Sequence, residues 1–287
     1  MTTATLLLNL SALLLFSSVR GAATAAASID SNHPDVPQVR HEHAICFLKN
    51  VLFVIGGRGS KDIYAYRDDT GEWINYGKPP SSIGDGGKLH HFQCFEWKDG
   101  IVIGASFTGG FPREGTDGNI YYFRPREPEA SRWSVLGTLP ANRLRGSTGG
   151  FKRQGKIFQV GGNDGGHGQG DDDSKTWFDM LNPKTGAWTV LPDINLRRDH
   201  TGAVYSNYDD AAYFLAGRNG GKSDFFALEN ARLEIERYSF ANGISGGTWE
   251  IVASTKYPHP GMTPTRVSRM IIIGDGEVDG RTDQASH

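Results

Sequence analysis

A chain of 287 residues carrying 30 Lys+Arg against 32 Asp+Glu is nearly neutral, with a formal charge of −2, and lacks the basic excess or stripe of a nucleic-acid binder. Glycine accounts for 38 residues, close to twice its usual share of about 7%, yet 6 Trp, 10 Tyr and 15 Phe accompany it. That much apolar surface excludes a disordered or collagen-like chain, so the glycines read as turns, and two cysteines exclude a disulfide scaffold.

At the amino terminus, Thr5–Phe16 (TLLLNLSALLLF) is an apolar block followed by SSVRGAATAAAS. The block has the length of a signal-peptide core and is too short to span a bilayer. Small residues Val19 and Gly21 set a signal peptide over residues 1–21, and Ala25 with Ala27 would move cleavage as late as 27. The mature chain is expected to be secreted, with no membrane association after cleavage, and residues 22–39 form an N-terminal segment. The N-x-S/T sequon Asn9-Leu10-Ser11 falls in the removed part.

From residue 40 onward the chain repeats. Apolar runs ending in glycine recur as VLFVIGG (51–57), IVIGA (101–105), IFQVGG (157–162), YFLAG (213–217) and MIIIGDG (270–276). Their first glycines, 56, 104, 161, 217 and 274, are spaced at the period of propeller blades. Between glycine and the next unit come an aromatic strand (IYAY, IYYF, WFDM, RYSF), a turn, and Trp73, Trp133, Trp188 or Trp249, each leading to a proline. A preceding strand, AICF (44–47), FQCF (92–95), GGF (149–151) or GAVY (202–205), completes four strands per unit. One such sheet cannot bury both faces alone, so the units stack radially.

The repeated pattern VIGG…YAY…TGEW resembles the kelch repeat. HHFQ (90–93), FTGGFP (107–112), LRGS (144–147), GGNDGGHG (161–168) and RRDHTGA (197–203) resemble a group of secreted kelch propellers within the galactose oxidase-like superfamily. The resemblance implies an all-β kelch-type propeller over residues 40–287, with blades at about 40–80, 88–140, 143–192 and 197–258 and a partial fifth at 262–287; with only 13 residues after Gly274, the ring is expected to be incomplete, the alternative being closure as a strained five-blade ring. It implies no single chemistry, because propellers host binding modules, scaffolds and enzymes. The copper-radical oxidases of the superfamily need a cysteine crosslinked to a ligand tyrosine, and nothing in the sequence locates such a pair.

Strand alternation puts the loops before strand one and after strand two at the same end of the propeller. These loops hold His43, His90, His91, Arg143, Arg145, Asn163, His167, Arg198, Asp199, His200 and Arg218, the candidate ligand-binding residues. Arg145 and Arg198 offer planar forks for a carboxylate or vicinal hydroxyls, and the histidines can donate or accept near neutral pH. Counting from the glycines aligns His43, His91, Thr148 and His200; at these places the side chains either bind a ligand or brace neighbouring blades. His41-x-His43 on an extended strand would place two imidazoles on one side, a spacing used by metal sites, but no established metal, nucleotide or hydrolase fingerprint occurs. Asp171–Asp173 read as a solvated loop. Cys46 and Cys94 occupy equivalent places in adjacent blades, expected to lie beyond the roughly 7 Å Cα limit for a disulfide and so to remain thiols. These features predict a secreted binding module for a glycan, polyol or extracellular protein, without a cofactor; the alternatives are a sugar-acting enzyme of epimerase or lyase type and a protein-interaction scaffold.

Overall fold

A computed structural model describes residues 35–272, apart from 112, 167–173, 221–229, 260, 262–263 and 268–269. The compact unit Val36–Asp279 holds the fold; a second unit, Met1–Asp35 with Gly280–His287, lies outside the described residues except at Asp35, and with it the expected signal segment.

Four antiparallel four-stranded sheets follow one another. The first is β1 (His43–Leu48), β2 (Val51–Gly56), β3 (Tyr64–Arg67) and β4 (Glu72–Asn75). The second contains β5 (Gln93–Trp97), β6 (Gly100–Gly104), β9 (Asn119–Phe123) and β10 (Trp133–Thr138), with an extra hairpin, β7 (Ser106–Gly110) and β8 (Arg113–Asp117), inserted after its second strand. The third is β11 (Gly149–Arg153), β12 (Lys156–Val160), β13 (Phe178–Asn182) and β14 (Ala187–Leu191). The fourth is β15 (Gly202–Ser206), β16 (Ala211–Leu215), β17 (Glu234–Ser239) and β18 (Trp249–Ser254). A hairpin of β19 (Thr265–Val267) and β20 (Met270–Ile272) comes next.

The first strands pack on one another in sequence, β1 on β5, β5 on β11, β11 on β15 and β15 on β19, so they line the axis as the blades of a propeller do. Each blade pair buries an apolar cluster: Phe53, Ile55, Ile103 and Phe123 between blades one and two; Phe95, Ile120, Ile157 and Leu181 between two and three; Phe158, Phe178, Phe214 and Tyr238 between three and four. The fourth-strand tryptophans close these seams against the preceding blade. Trp133 packs on the first cluster and Trp188 on the second, and Trp249 joins the third while its indole N–H donates to the Pro192 carbonyl at 2.9 Å.

Two expectations need correction. Cys46 and Cys94 form a disulfide, with Cα atoms 5.9 Å apart, because the first strands of neighbouring blades converge at the axis more closely than expected. The glycine-based alignment is also off by one position in blades two and four. The turn that ends the second strand carries a left-handed residue facing the next blade. That residue is Gly56 in blade one and Gly161 in blade three, where a Cβ would meet the carbonyls of Leu89 and Arg198 at 2.5 Å. In blades two and four the same place is held by Ala105 (φ 52°) and Ala216 (φ 61°), not by Gly104 and Gly217. With strand registers restored, the equivalents of His91 are Glu42, Ser147 and His200, while His43 corresponds to Phe92.

Candidate functional site

Glu42, His91, Ser147 and His200 each precede the first strand of their blade, and all four have left-handed backbones, with φ of 59°, 54°, 57° and 46°. Their main chains link blade to blade around the axis. The His91 N–H donates to the Glu42 carbonyl (3.0 Å), Ser147 N–H to the His91 carbonyl (2.7 Å), and Gly261 N–H to the His200 carbonyl (2.7 Å). The His200 N–H donates instead to Ser147 Oγ at 3.1 Å. A left-handed residue reverses the local backbone, and here it presents the four side chains to a common axial pocket. That pocket, about 180 Å³, is lined by Glu42, His91, Ser147, Thr148, His200 and Gly261, with His43, Phe92, Gln93 and Thr201 completing it. The left-handed turn at Glu42 also breaks the extended alternation assumed for His41-x-His43. His41 is mostly exposed, while His43 lies partly buried in the pocket wall, where burial first, then Arg40 and His41, lower its pKa.

Polar partners orient the two ring histidines. His200 Nδ1 pairs with Asp199, which also accepts from Asn163 Nδ2 (3.1 Å) and Ser174 Oγ (2.5 Å) and lies 3.7 Å from Arg218 Nε. Burial would raise the Asp199 pKa, but His200, Arg218 and Ser174 outweigh it and hold the carboxyl well below the usual range. His91 Nε2 lies 3.0 Å from Glu42 Oε1, and its Nδ1 lies 2.6 Å from His90 Nδ1. His90 is fully buried, and desolvation followed by the Arg58 charge pushes its pKa down to about 4, so it is a neutral imidazole at pH 7. Arg58 bridges Glu42 and Glu114.

The predicted arginines go elsewhere. Arg145 and Arg198, expected to point into the funnel, are fully buried inside their own blades. Arg145 Nη2 pairs with Asp179 (2.7 Å), and Arg143 Nε pairs with the same carboxylate (2.8 Å). Arg198 Nη2 pairs with Glu236 (2.9 Å), and its Nη1 donates to the Glu234 carbonyl (2.8 Å). These guanidiniums fix the entry of the first strand to the third strand, and burial lowers the pKa of both Arg145 and Arg198 against the opposing pull of Asp179 and Glu236. Asn163, Asp199 and Arg218 stand behind the ring rather than in the pocket, and His167, like Asp171–Asp173, lies outside the described residues. The structure thus brings His91 and His200 together, with His43 in the pocket wall and His90 and Asp199 behind them. The sequence reading left out Glu42, Ser147, Arg58 and Glu114 as site residues. Glu42 is the middle residue of the His41-x-His43 spacing, whereas Glu114 belongs to the inserted hairpin, for which the repeat gives no signal.

No family model matches the chain. It is 24% identical over 266 residues to the Kelch-like protein terF of Aspergillus terreus (strain NIH 2624 / FGSC A1156), a match covering 86% of this chain and 52% of that protein. The chain thus spans about half the length of this curated relative. The solved structure of YjhT superposes with a TM-score of 0.64 at 13% identity, over 84% of this chain and 78% of that one. The fold is a kelch-type β-propeller. A fungal alcohol oxidase of the AA5 family, solved in complex with copper, matches at a TM-score of 0.54 and 18% identity, over 79% of this chain and 46% of that one. Among the described residues, the two cysteines are bonded to each other, and the axial pocket is lined by no tyrosine, so the described residues do not supply the cysteine–tyrosine pair of the copper-radical oxidases.

Proposed function

We propose that this kelch propeller is a secreted binding module whose ligand, a glycan or other polyol, docks at the axial pocket. The observation that carries this reading is the convergence of Glu42, His91, Ser147 and His200 from four successive blades on one pocket. Together they offer a carboxylate, two imidazoles and a hydroxyl, the mix of donors and acceptors that sugar hydroxyls require. About 180 Å³ is well below the roughly 300–1,000 Å³ of typical small-molecule sites, so the pocket admits a terminal unit, with the rest of a longer ligand lying on the rim. Beside it, exposed Phe111 at the tip of the β7–β8 hairpin stacks with Arg58, 5.3 Å from guanidinium to ring centroid, and gives the rim an apolar face for a sugar ring. The Cys46–Cys94 disulfide and the N-terminal apolar block agree with export into an oxidising compartment.

One observation favours the enzyme alternative. The Asp199–His200 pair has the form of an oriented general base, suited to proton abstraction in an epimerase or lyase. A glycan array probed with the mature protein, followed by product analysis of every glycan bound, separates the two. Binding with unchanged glycan is expected, conversion assigns an enzyme, and failure to bind any glycan contradicts the proposal.

A further inference from the structure

Glu42, His91 and His200 each bring one donor atom to within 4.8 Å of the other two. They come from three different blade entries, joined through the main-chain bonds of His91 to Glu42 and Ser147 to His91 and through the His200 N–H bond to Ser147 Oγ, so the fold itself builds the cluster. Bonds of about 2.0–2.1 Å to a tetrahedral zinc-class ion place neighbouring donors roughly 3.3–3.4 Å apart. Glu42 Oε1 and His91 Nε2 already stand at 3.0 Å. Asp199 pairs with His200 Nδ1, and His90 faces His91 Nδ1. Each imidazole therefore has the outer partner that ligating histidines characteristically possess.

We propose that Glu42, His91 and His200 bind one divalent transition-metal ion of the zinc class in the axial pocket. Without metal, His91 Nε2–H donates to Glu42 Oε1 and His90 Nδ1–H donates to His91. With metal, His91 presents its Nε2 lone pair and donates from Nδ1 to His90, while Glu42 ligates through Oε1 and keeps Arg58 on Oε2. Three protein ligands leave a fourth position open to water or to a ligand oxygen. Two imidazoles and a carboxylate suit a borderline divalent ion, and the set contains no tyrosine for radical chemistry.

The test is a calorimetric titration of the chelator-stripped full chain with Zn²⁺ alone, with metal content measured after dialysis. The expected result is one zinc per chain and a melting temperature raised by zinc. His91→Gln and His200→Gln should each weaken binding at least tenfold, and Asp199→Asn about 10- to 100-fold, while His41→Ala leaves it unchanged. Cooperative melting of each variant checks folding. Should a ligand variant not fold, Co²⁺ absorption of the wild-type protein reports whether nitrogen and oxygen donors surround the ion. A folded wild-type chain without stoichiometric zinc, undiminished binding by the His91→Gln/His200→Gln double variant, loss on His41→Ala, or a Co²⁺ spectrum of the hydrated ion would each overturn the proposal. No glycan enters the assay, so its outcome is separate from that of the glycan array.

Discussion

Arg198 carries its charge into the interior of the fourth blade, where Glu236 meets it at 2.9 Å and the carbonyls of Ala216 and Glu234 accept from its Nη1. Removing one partner of such a pair strands the other charge, at a cost of about 3–5 kcal/mol. Arg198→Ala should therefore lower the melting temperature by on the order of 10 °C, measured by thermal unfolding; an unchanged melt would mean that the pair contributes nothing. The inward direction of Arg198 was not legible in the sequence. The residue sits two places before His200, and in an extended strand the two would share a side. The left-handed backbone at His200 changes that, and left-handed positions held here by Glu, His, Ser and Ala carry no compositional mark as glycine does. For the same reason His43 was aligned with His91, and the ring position of Glu42 was missed.

Blade three is clamped to the β15–β16 hairpin by a bidentate pair in which Arg153 Nε and Nη2 each lie 2.7 Å from an Asp210 oxygen, while Tyr205 donates to the same carboxylate. The Arg153 hydrogen bonds, with that of Tyr205, bring the Asp210 pKa down to about 2. A carboxyl with a depressed folded pKa adds stability above its unfolded value near 4 and loses it as pH falls toward 2. Because Asp210 is nearly half exposed, the contribution is discounted to about 1 kcal/mol. Asp210→Asn should thus melt a few degrees lower at pH 7, and the two proteins should converge as pH approaches 2; a gap that persists there would place the effect elsewhere than in the charge. At this scale the sequence was most informative. Glycine-ended runs, aromatic third strands and fourth-strand tryptophans located all four sheets, because each reflects a local requirement of turn, pleat or seam. The β7–β8 hairpin interrupts that rhythm, and the FTGGFP run within it reads as a loop when only the repeat is followed.

Across the whole propeller unit, the axis is where blades approach most closely, and the Cys46–Cys94 link joins the first strands of blades one and two there. Equivalent cysteines look distant in sequence because spacing between blades varies with radius, which a repeat period does not report. Closing a loop of 48 residues constrains the unfolded chain by about 4 kcal/mol in the chain-entropy account. The Cys46→Ser/Cys94→Ser double variant should lose up to that amount in denaturant unfolding; equal midpoints and slopes for the two proteins would show that the link adds no stability. The same axial convergence creates the pocket, which joins the stability of the ring to its proposed use. The direct measurement is glycan binding by the wild-type chain and by His91→Gln, side by side, each verified by a cooperative melt. The account predicts a glycan bound by the wild type and an affinity at least tenfold weaker in His91→Gln. Equal affinity in the two proteins would contradict it.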